Sequence, residues 1–266
     1  MLFSESAVEA WTSRYGNTPL PSLEGLDGFL RHRSVRKFAR VSISEEVVAG
    51  LMAAAQSAST SSNLQLWSAI SVQDPGRRAE IARLCADQAR VRDAAWFFAF
   101  CADHYRLSQA AQKEGIEAKG LDYAEFGIMA LIDVALAAER FVCAAEALGY
   151  GICYIGALRN KPVEVQQLLK LPEGTFGVFG LCLGVPSDEE RGRIKPRLNQ
   201  DQVWFREQYD KSVSTEEYDS RMRSYFERRG LDTTWSKQSA TRADGEHMTG
   251  REVLLGFLHQ QGFFRR

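Results

Sequence analysis

The sequence lacks any long uncharged apolar run, and no stretch approaches the ~20 residues that a membrane-spanning helix requires. Its beginning, MLFSESAVEAWTSRYG, also lacks the basic leader and apolar core of an export signal. These two absences predict a chain that enters no membrane and works in the cytoplasm.

The sequence also lacks a surplus of charge, because 33 lysines and arginines face 34 aspartates and glutamates. This balance excludes an overall field that would attract the chain to nucleic acid or to an anionic membrane, so any anion site has to be local. The five cysteines include no C-x-x-C pair, and the four histidines are scattered. We therefore expect neither a disulfide nor a metal site.

Three common catalytic and nucleotide-binding loops are missing: G-x-S-x-G, the Walker loop and G-x-G-x-x-G. Hydrolase and dinucleotide-binding folds therefore lose their best sequence support. At 266 residues and 45% hydrophobic content, the chain is nevertheless long and apolar enough to bury a sizeable core.

Hydrophobic patterning predicts a mixed α+β fold. Four apolar segments of strand length read SAISVQ, AAWFFAFCAD, GICYIG and FGVFGLCLG. A helix is expected to begin after Ser44, which is followed by two acidic residues and then by apolar residues at helical spacing. A second helix is expected in IDVALAAERFVCAAEALGYG, with a thin polar stripe that contains Asp133 and with Gly149 or Gly151 at its end.

Composition predicts three parts along the chain. Residues 1–27 mix polar residues with two prolines and are expected to form an arm outside the main core. Residues 28–266 are expected to form one domain. Within it, residues 187–246 are highly charged and predict a solvent-facing excursion with few core-forming residues.

The densest cluster of potential binding groups is R-H-R-S-V-R-K-F at residues 31–38. Guanidinium groups and a short hydroxyl donor are what a phosphomonoester requires, because they match its charge and its remaining oxygens. By composition alone, a solvated basic run or a nucleic-acid patch explains this cluster equally well.

Three further segments carry weaker signals. Residues 57–67 concentrate hydroxyl and amide groups, and residues 149–160 place glycines where the backbone approaches a flat ligand or makes a tight turn. In K-P-R at residues 195–197, proline favours an extended backbone, so Lys195 and Arg197 face the same way. Each segment taken alone is also compatible with an ordinary loop.

Taken in order, five motifs resemble the signature set of the oxygen-insensitive NADPH nitroreductase and flavin reductase group of the nitroreductase superfamily. They are HRSVRKF at 32–38, STSSNLQ at 59–65, YIGALRN at 154–160, FGLCLG at 179–184 and KPRL at 195–198. The resemblance covers nearly the whole chain from about Gly28 onwards, and five collinear motifs are far more specific than any one of them.

The resemblance implies an α+β sandwich, with a central, mostly antiparallel sheet flanked by helices, in an interlocked homodimer. It also implies one FMN for each active site, held by residues of both subunits, and no catalytic side chain, because FMN carries the chemistry. The residues that it assigns to the FMN phosphate and ribityl chain are His32, Arg33, Ser34, Lys195 and Arg197. Those that it assigns to the flavin ring and its surroundings are Arg36, Thr60, Ser61, Gln65, Gln88, Tyr154, Ile155, Gly156 and Ala157.

The implied activity is a ping-pong transfer of two electrons from NADPH or NADH to a nitroaromatic compound, a quinone or free flavin. Arg159 is expected to orient an anionic part of a substrate. Arg229 matches an arginine that reads the 2′-phosphate in NADPH-specific members, but Leu231 and Asp232 stand where further arginines are expected. We therefore expect a weak NADPH preference or dual use of both nicotinamides.

Two other functions remain open at this point. One is different flavin chemistry on the same scaffold, such as dehalogenation or flavin fragmentation. The other is a non-catalytic module that binds a phosphorylated ligand or nucleic acid, against which the balanced charge and the lack of a nucleic-acid-binding motif count.

Overall fold

A computed structural model describes residues 5–17, 25–190 and 192–266. In chain order, they form α1 (Ala7–Tyr15), α2 (Asp27–Leu30), α3 (Glu45–Gln56), β1 (Trp67–Ser71), α4 (Pro75–Leu84), α5 (Ala89–Asp93), β2 (Trp96–Asp103), α6 (Tyr105–Lys113), α7 (Ala124–Ala147), β3 (Gly151–Ile155), α8 (Pro162–Leu169), β4 (Thr175–Gly184), α9 (Glu216–Glu227), α10 (Trp235–Ala243) and α11 (Leu254–Gln260). Within these ranges, no helix has both the length and the apolar composition needed to cross a bilayer.

The strands form one sheet in the order β1-β2-β4-β3, and every neighbouring pair is antiparallel. All four lie where the sequence predicted strands. β2, β3 and β4 are buried along most of their length, as expected for continuous apolar runs, whereas β1 is partly exposed. The expected α+β fold with a central antiparallel sheet is thus confirmed.

The main core lies between this sheet and helices α3 and α7. The side chain of Ser44 accepts a hydrogen bond from the N–H of Val47 and caps α3, as the sequence predicted. The fully buried ring of Phe141 on α7 contacts Phe98 and Phe100 of β2 edge-on, with ring centroids 5.2 and 6.1 Å apart.

The prediction that Asp133 belongs to a polar stripe on α7 is wrong. Its side chain is fully buried, and its two carboxylate oxygens accept hydrogen bonds from the backbone N–H groups of Ser61 and Leu66, at 2.9 and 3.0 Å. A buried carboxylate is tolerated where donors satisfy it. Asp133 therefore anchors the loop that precedes β1.

The chain divides into two compact units. The described parts of residues 1–33 and 191–248 form what we call the helical unit, which contains α1, α2, α9 and α10. Residues 34–190 and 249–266 form the sheet unit, which contains the other elements.

Parts of the predicted arm and of the predicted excursion belong to the helical unit, and both contain more structure than expected. Ser6 and Glu9 form a capping box that starts α1, and Trp11 of this helix is buried. Within the charged excursion, α9 contributes a cluster of four buried residues to this unit. They are Tyr218, Met222, Tyr225 and Phe226.

Candidate functional site

In the sheet unit, the backbone at the end of β3 has free space beside it. Ile155 is buried and faces Gly180 of β4, and a 3₁₀ turn follows over Gly156–Asn160. Among the described residues, a Cβ atom built on Gly156 would have two neighbouring side-chain atoms within 4 Å, which are Nη2 of Arg159 at 3.7 Å and Nη2 of Arg251 at 4.0 Å. The backbone of Gly156 therefore borders a gap flanked by two guanidinium groups.

Two hydrogen bonds from Arg251 hold this strand end. Its Nε donates to Oδ1 of Asn160 at 2.8 Å, and its Nη2 donates to the carbonyl of Gly156 at 3.1 Å. Sequence reasoning missed Arg251, and no local pattern points to it, because its partners lie more than ninety residues earlier.

The neighbouring residues of the motif differ in exposure. Ala157 is buried, whereas Tyr154 is half-buried and its hydroxyl donates to Oε2 of Glu139 at 3.1 Å. Burial, with the nearby Glu139 carboxylate, raises the pKa of Tyr154 well above its usual range. Arg159 donates through Nη1 to the carbonyl of Val178 on β4, so one side of its guanidinium is fixed to the sheet.

The polar loop before β1 has an unusual backbone. Ser62, Asn63 and Gln65 have φ values of 50°, 56° and 54°, a region that residues other than glycine rarely adopt. The contacts of Asp133 with the N–H groups of Ser61 and Leu66 bracket these residues. Strained backbone of this kind persists where its surroundings enforce it, and it often occurs at functional sites.

Arg106 fixes the same loop from the other side. Its Nη1 donates to the carbonyl of Gln65 at 3.1 Å, and its Nη2 donates to the hydroxyl of Ser68 at 3.0 Å. Thr60, Gln65 and Arg106 line one cavity of about 460 Å³ in the sheet unit. The structure thus brings Thr60 and Gln65 together, while Ser61 lies on the same loop and is half-buried.

The middle of the first motif runs beside β3. The N–H of Val35 donates to the carbonyl of Ile152 at 2.8 Å, and Gly151 leaves the space that the Val35 side chain fills. Ser34 and Arg36 flank this contact, and the Arg36 side chain is exposed. The backbone N–H groups of Arg36 and of its neighbour both donate to the carboxylate of Glu190.

Gln88 lies elsewhere in the sheet unit. It is half-buried at the N-cap position of α5, directly after Ala86 and Asp87, whose φ values are 61° and 51°. Ala86 and Asp87 form a second short run of left-handed backbone in the sheet unit.

The helical unit contains His32, Arg33, Lys195, Arg197 and Arg229. Arg14 links two of these segments, because its Nη2 donates to the carbonyl of His32 and its own carbonyl accepts from the N–H of Arg197, both at 2.9 Å. Within this unit, Arg14 therefore connects His32 of the first motif with Arg197 of the last.

Arg33 is engaged by a residue that sequence reasoning did not consider. Its side chain is 5% exposed, and its Nη1 and Nη2 donate to the two carboxylate oxygens of Glu5 at 2.7 and 2.8 Å. This contact with Arg33 lowers the pKa of Glu5.

The two arginines at the end of α9 face different surroundings. The guanidinium of Arg229 lies 5.8 Å from the centre of the Tyr225 ring, whereas Arg228 lines a cavity together with Arg33.

The profile of the Nitroreductase family matches residues 30–185, and that of the Nitroreductase family, C-terminal domain, matches residues 195–266. The first match alone spans more than half of the chain. The chain belongs to the nitroreductase family.

Relatives of this nitroreductase-family chain match it over most of its length. The NADPH-dependent oxidoreductase of Staphylococcus epidermidis is 38% identical over 249 residues, which cover 89% of this chain and 96% of that protein. The FMN reductase (NADPH) of Bacillus subtilis is 36% identical over 238 residues, which cover 89% of this chain and 92% of that protein. The solved structure of the NfrA1 nitroreductase from B. subtilis matches with a TM-score of 0.82 at 33% identity, covering 91% of this chain and 99% of that one. The family that the five motifs predicted is thereby confirmed.

Proposed function

We propose that this nitroreductase-family chain is an FMN-dependent NAD(P)H oxidoreductase that reduces nitroaromatic compounds, quinones or free flavin. The observation that carries the proposal is the match over most of the chain to relatives named FMN reductase (NADPH) and NADPH-dependent oxidoreductase. FMN, when bound, supplies two-electron transfer in a ping-pong sequence, with NADPH or NADH as donor. The protein supplies binding, orientation and electrostatics.

The donors present suit the phosphate end of FMN. We assign this end to residues that offer guanidinium, ammonium, imidazole and hydroxyl donors, which are His32, Arg33, Ser34, Lys195 and Arg197. Charge-assisted hydrogen bonds are stronger than neutral ones, so several of them hold a phosphate group firmly. In the described structure Arg33 donates to Glu5, so part of the donor capacity of its guanidinium group is already used.

The end of β3 suits the flavin ring. Because Gly156 has no side chain, a flat ring edge can approach its backbone beside Tyr154, Ile155 and Ala157. We assign Arg36 to the pyrimidine edge, where a cation favours the anionic reduced ring. We assign Thr60, Ser61, Gln65 and Gln88 to further contacts with FMN, the first three from a neighbouring subunit.

Arg159 suits the orientation of an anionic substrate group. Its Nη1 is fixed to the carbonyl of Val178, while its Nη2 borders the gap at Gly156. We assign the 2′-phosphate of NADPH to Arg229, as the family motif implies. With Leu231 and Asp232 next in the chain, we expect a weak preference for NADPH over NADH.

We further propose that the enzyme is a homodimer. Ile128, Ile132 and Leu136 lie four residues apart on one face of α7, and they are 47%, 47% and 42% exposed. Side chains at this spacing form one stripe along a helix, and an exposed apolar stripe is typical of a subunit interface. The loop over residues 60–65 is proposed to contact the FMN of a neighbouring subunit. A second copy of the chain is therefore the partner that we propose.

Cytoplasmic location is part of the proposal. The five cysteines are free thiols, and four of them are buried. Burial raises the pKa of Cys85 and of Cys101 to about 12, which makes these thiols unreactive. Unpaired thiols are usual in a reducing compartment.

The purified chain tests the proposal directly. We expect a yellow protein with the visible absorption bands of bound flavin, which oxidises NADPH or NADH only when an electron acceptor is present. A screen of nitroaromatic compounds, quinones and free flavin with both nicotinamides identifies the acceptor class. A protein that neither retains nor rebinds FMN would overturn the proposal.

A further inference from the structure

One peptide unit in the loop before β1 is held at both ends by side chains of opposite charge. This unit joins Gln65 to Leu66. The carbonyl of Gln65 accepts from Nη1 of Arg106 at 3.1 Å, and the N–H of Leu66 donates to Oδ2 of Asp133 at 3.0 Å. Because a peptide unit is planar, two contacts at its oxygen and its N–H group fix the orientation of the whole plane.

The fixed plane keeps Gln65 in a conformation that this residue type rarely adopts. Its φ value is 54°, in the left-handed region. A residue other than glycine keeps such a backbone where its surroundings enforce it. The side chain of Gln65 is exposed, and its Nε2 lies 3.5 Å from Oδ1 of Asn63, which is a weak contact. The backbone of Gln65 is thus fixed while its amide group stays accessible to a ligand or to a second chain.

Arg106 is itself fixed, although its side chain is 60% exposed. The buried Asp103, at the end of β2, accepts from the backbone N–H of Arg106 at 3.1 Å and from its Nη2 at 3.4 Å. The hydroxyl of Ser68 donates to Asp103 and accepts from Nη2 of Arg106 at 3.0 Å. An exposed ion pair alone contributes little to stability, but these contacts aim the planar guanidinium group at the carbonyl of Gln65. The sheet therefore holds the loop through Arg106.

We propose that Arg106 is a positioning residue for FMN bound by the neighbouring subunit. Together with Asp133, it sets the peptide unit after Gln65 and so directs the Gln65 side chain to the flavin across the interface. Arg106 acts through Gln65 rather than by contact with the cofactor. This role rests on the proposed function, which assigns Gln65 to the FMN of a neighbouring subunit.

The first measurement is the dissociation constant of FMN, from the fluorescence of released flavin when the holoprotein is diluted. We expect Arg106→Gln to weaken FMN binding about tenfold, because it removes the charge-assisted hydrogen bond that holds Gln65. Arg106→Lys keeps a cation and a donor for the same carbonyl, so it should recover part of the loss. Lys113→Gln removes an exposed cation from the same helix, α6, and is the matched control that should bind FMN like the wild type.

Amide hydrogen exchange on the same proteins follows the loop itself. Exchange at the N–H of Leu66 should be faster in Arg106→Gln than in Lys113→Gln, because one of the two contacts that hold its peptide unit is lost. Exchange in β3, which two strands separate from β1, should be the same in both proteins. This comparison distinguishes a local loss of order from a general loss of folding.

A mixed dimer tests whether Arg106 acts across the interface. It combines one Arg106→Gln subunit with one Arg36→Ala subunit, and the two chains carry different affinity tags for purification. One FMN site then uses the unchanged Arg36 of the first subunit and the unchanged loop of the second, whereas the other site carries both changes. We expect half of the sites to bind FMN with wild-type affinity.

The positioning role is overturned if Arg106→Gln binds FMN as tightly as Lys113→Gln does, or if exchange at Leu66 is the same in the two proteins. It is also overturned if no site of the mixed dimer regains wild-type affinity. A wild-type protein that binds no FMN would instead refute the proposed function on which this role rests, and that outcome is read from the wild type alone.

Discussion

Asp133 illustrates how one buried residue shapes the candidate site. Its carboxylate accepts from the N–H groups of Ser61 and Leu66, and the three left-handed residues lie between these two contacts. The sequence placed Asp133 in a polar stripe, and it does not show which backbone groups the carboxylate satisfies, because they lie about seventy residues earlier.

We expect Asp133→Asn to lower the free energy of unfolding by about 1–3 kcal/mol, because an amide NH₂ group would face a backbone N–H. The loop over residues 60–65 should also become more mobile. Chemical denaturation measures the first effect, and amide hydrogen exchange at Ser61 and Leu66 measures the second. Glu125→Gln, which neutralises an exposed carboxylate on the same helix, should leave both nearly unchanged. Equal effects from the two variants would contradict this role of Asp133.

We expect Arg36 to raise the reduction potential of the bound flavin. Arg36→Ala should keep the fold, lower FMN occupancy and lower the two-electron potential of the bound flavin, because a cation at the pyrimidine edge stabilises the reduced anion. Each ~1.4 kcal/mol of lost stabilisation corresponds to about 30 mV. Potentiometric titration measures the change, with Arg40→Ala, another exposed arginine nearby, as control. A potential equal to that of the control would exclude Arg36 from this position.

Residue types at the site could be predicted from the motifs, whereas their partners could not. The pairing of Arg33 with Glu5 joins residues 28 apart and follows no periodic pattern. Arg106 and Arg251 were missed for the same reason, since each hydrogen-bonds to backbone carbonyls that are distant in sequence. The assigned roles of the site residues stay predictions.

In strand β4, glycine leaves room for the bulky side chains of the neighbouring strands. A Cβ atom on Gly180 would lie 2.5 Å from Cζ of Phe97 and 3.2 Å from Cβ of Ile155. Because both neighbours are buried in the sheet, neither has room to move away.

We therefore expect Gly180→Ala to destabilise the protein by about 1–3 kcal/mol and to disturb the end of β3 beside Gly156. Thermal unfolding and FMN retention measure the two effects. Gly50→Ala provides the opposite control, because Gly50 is exposed on α3 with open space around its Cα atom. That change should stabilise the fold by roughly 0.5–1 kcal/mol. A Gly180→Ala protein as stable as the wild type would show that the sheet adapts.

Helices and strands with a clear apolar pattern could be predicted from the sequence, whereas those with a weak apolar pattern could not. The four strands and α7 consist largely of apolar residues, so their pattern is clear. In α9, the four buried residues are interspersed with many charged residues, so the apolar face of this helix is not evident from the sequence. The start of α1 had a readable signal in Ser6 and Glu9, three residues apart, which is the sequence signature of a capping box.

The exposed apolar stripe on α7, formed by Ile128, Ile132 and Leu136, predicts that the protein is a dimer. Ile132→Asp places a charge in the middle of this stripe and should convert a dimer into a monomer, because burying an unpaired carboxylate is costly. Sedimentation velocity measures the change. Val163→Asp changes an exposed aliphatic residue on α8 in the same way and should leave the dimer intact. A wild-type protein that sediments as a flavin-loaded monomer would contradict the assignment.

In the proposed function, the chain holds FMN and reduces it with a nicotinamide. The most direct measurement is rapid anaerobic mixing of the purified, flavin-loaded protein with one equivalent of NADPH or NADH, in the absence of any acceptor. We expect the visible flavin absorbance to bleach as the nicotinamide is oxidised in equal amount, and to return when a quinone or nitroaromatic compound is added. Flavin absorbance that stays unchanged with both nicotinamides would show that the chain is not an FMN-dependent NAD(P)H oxidoreductase.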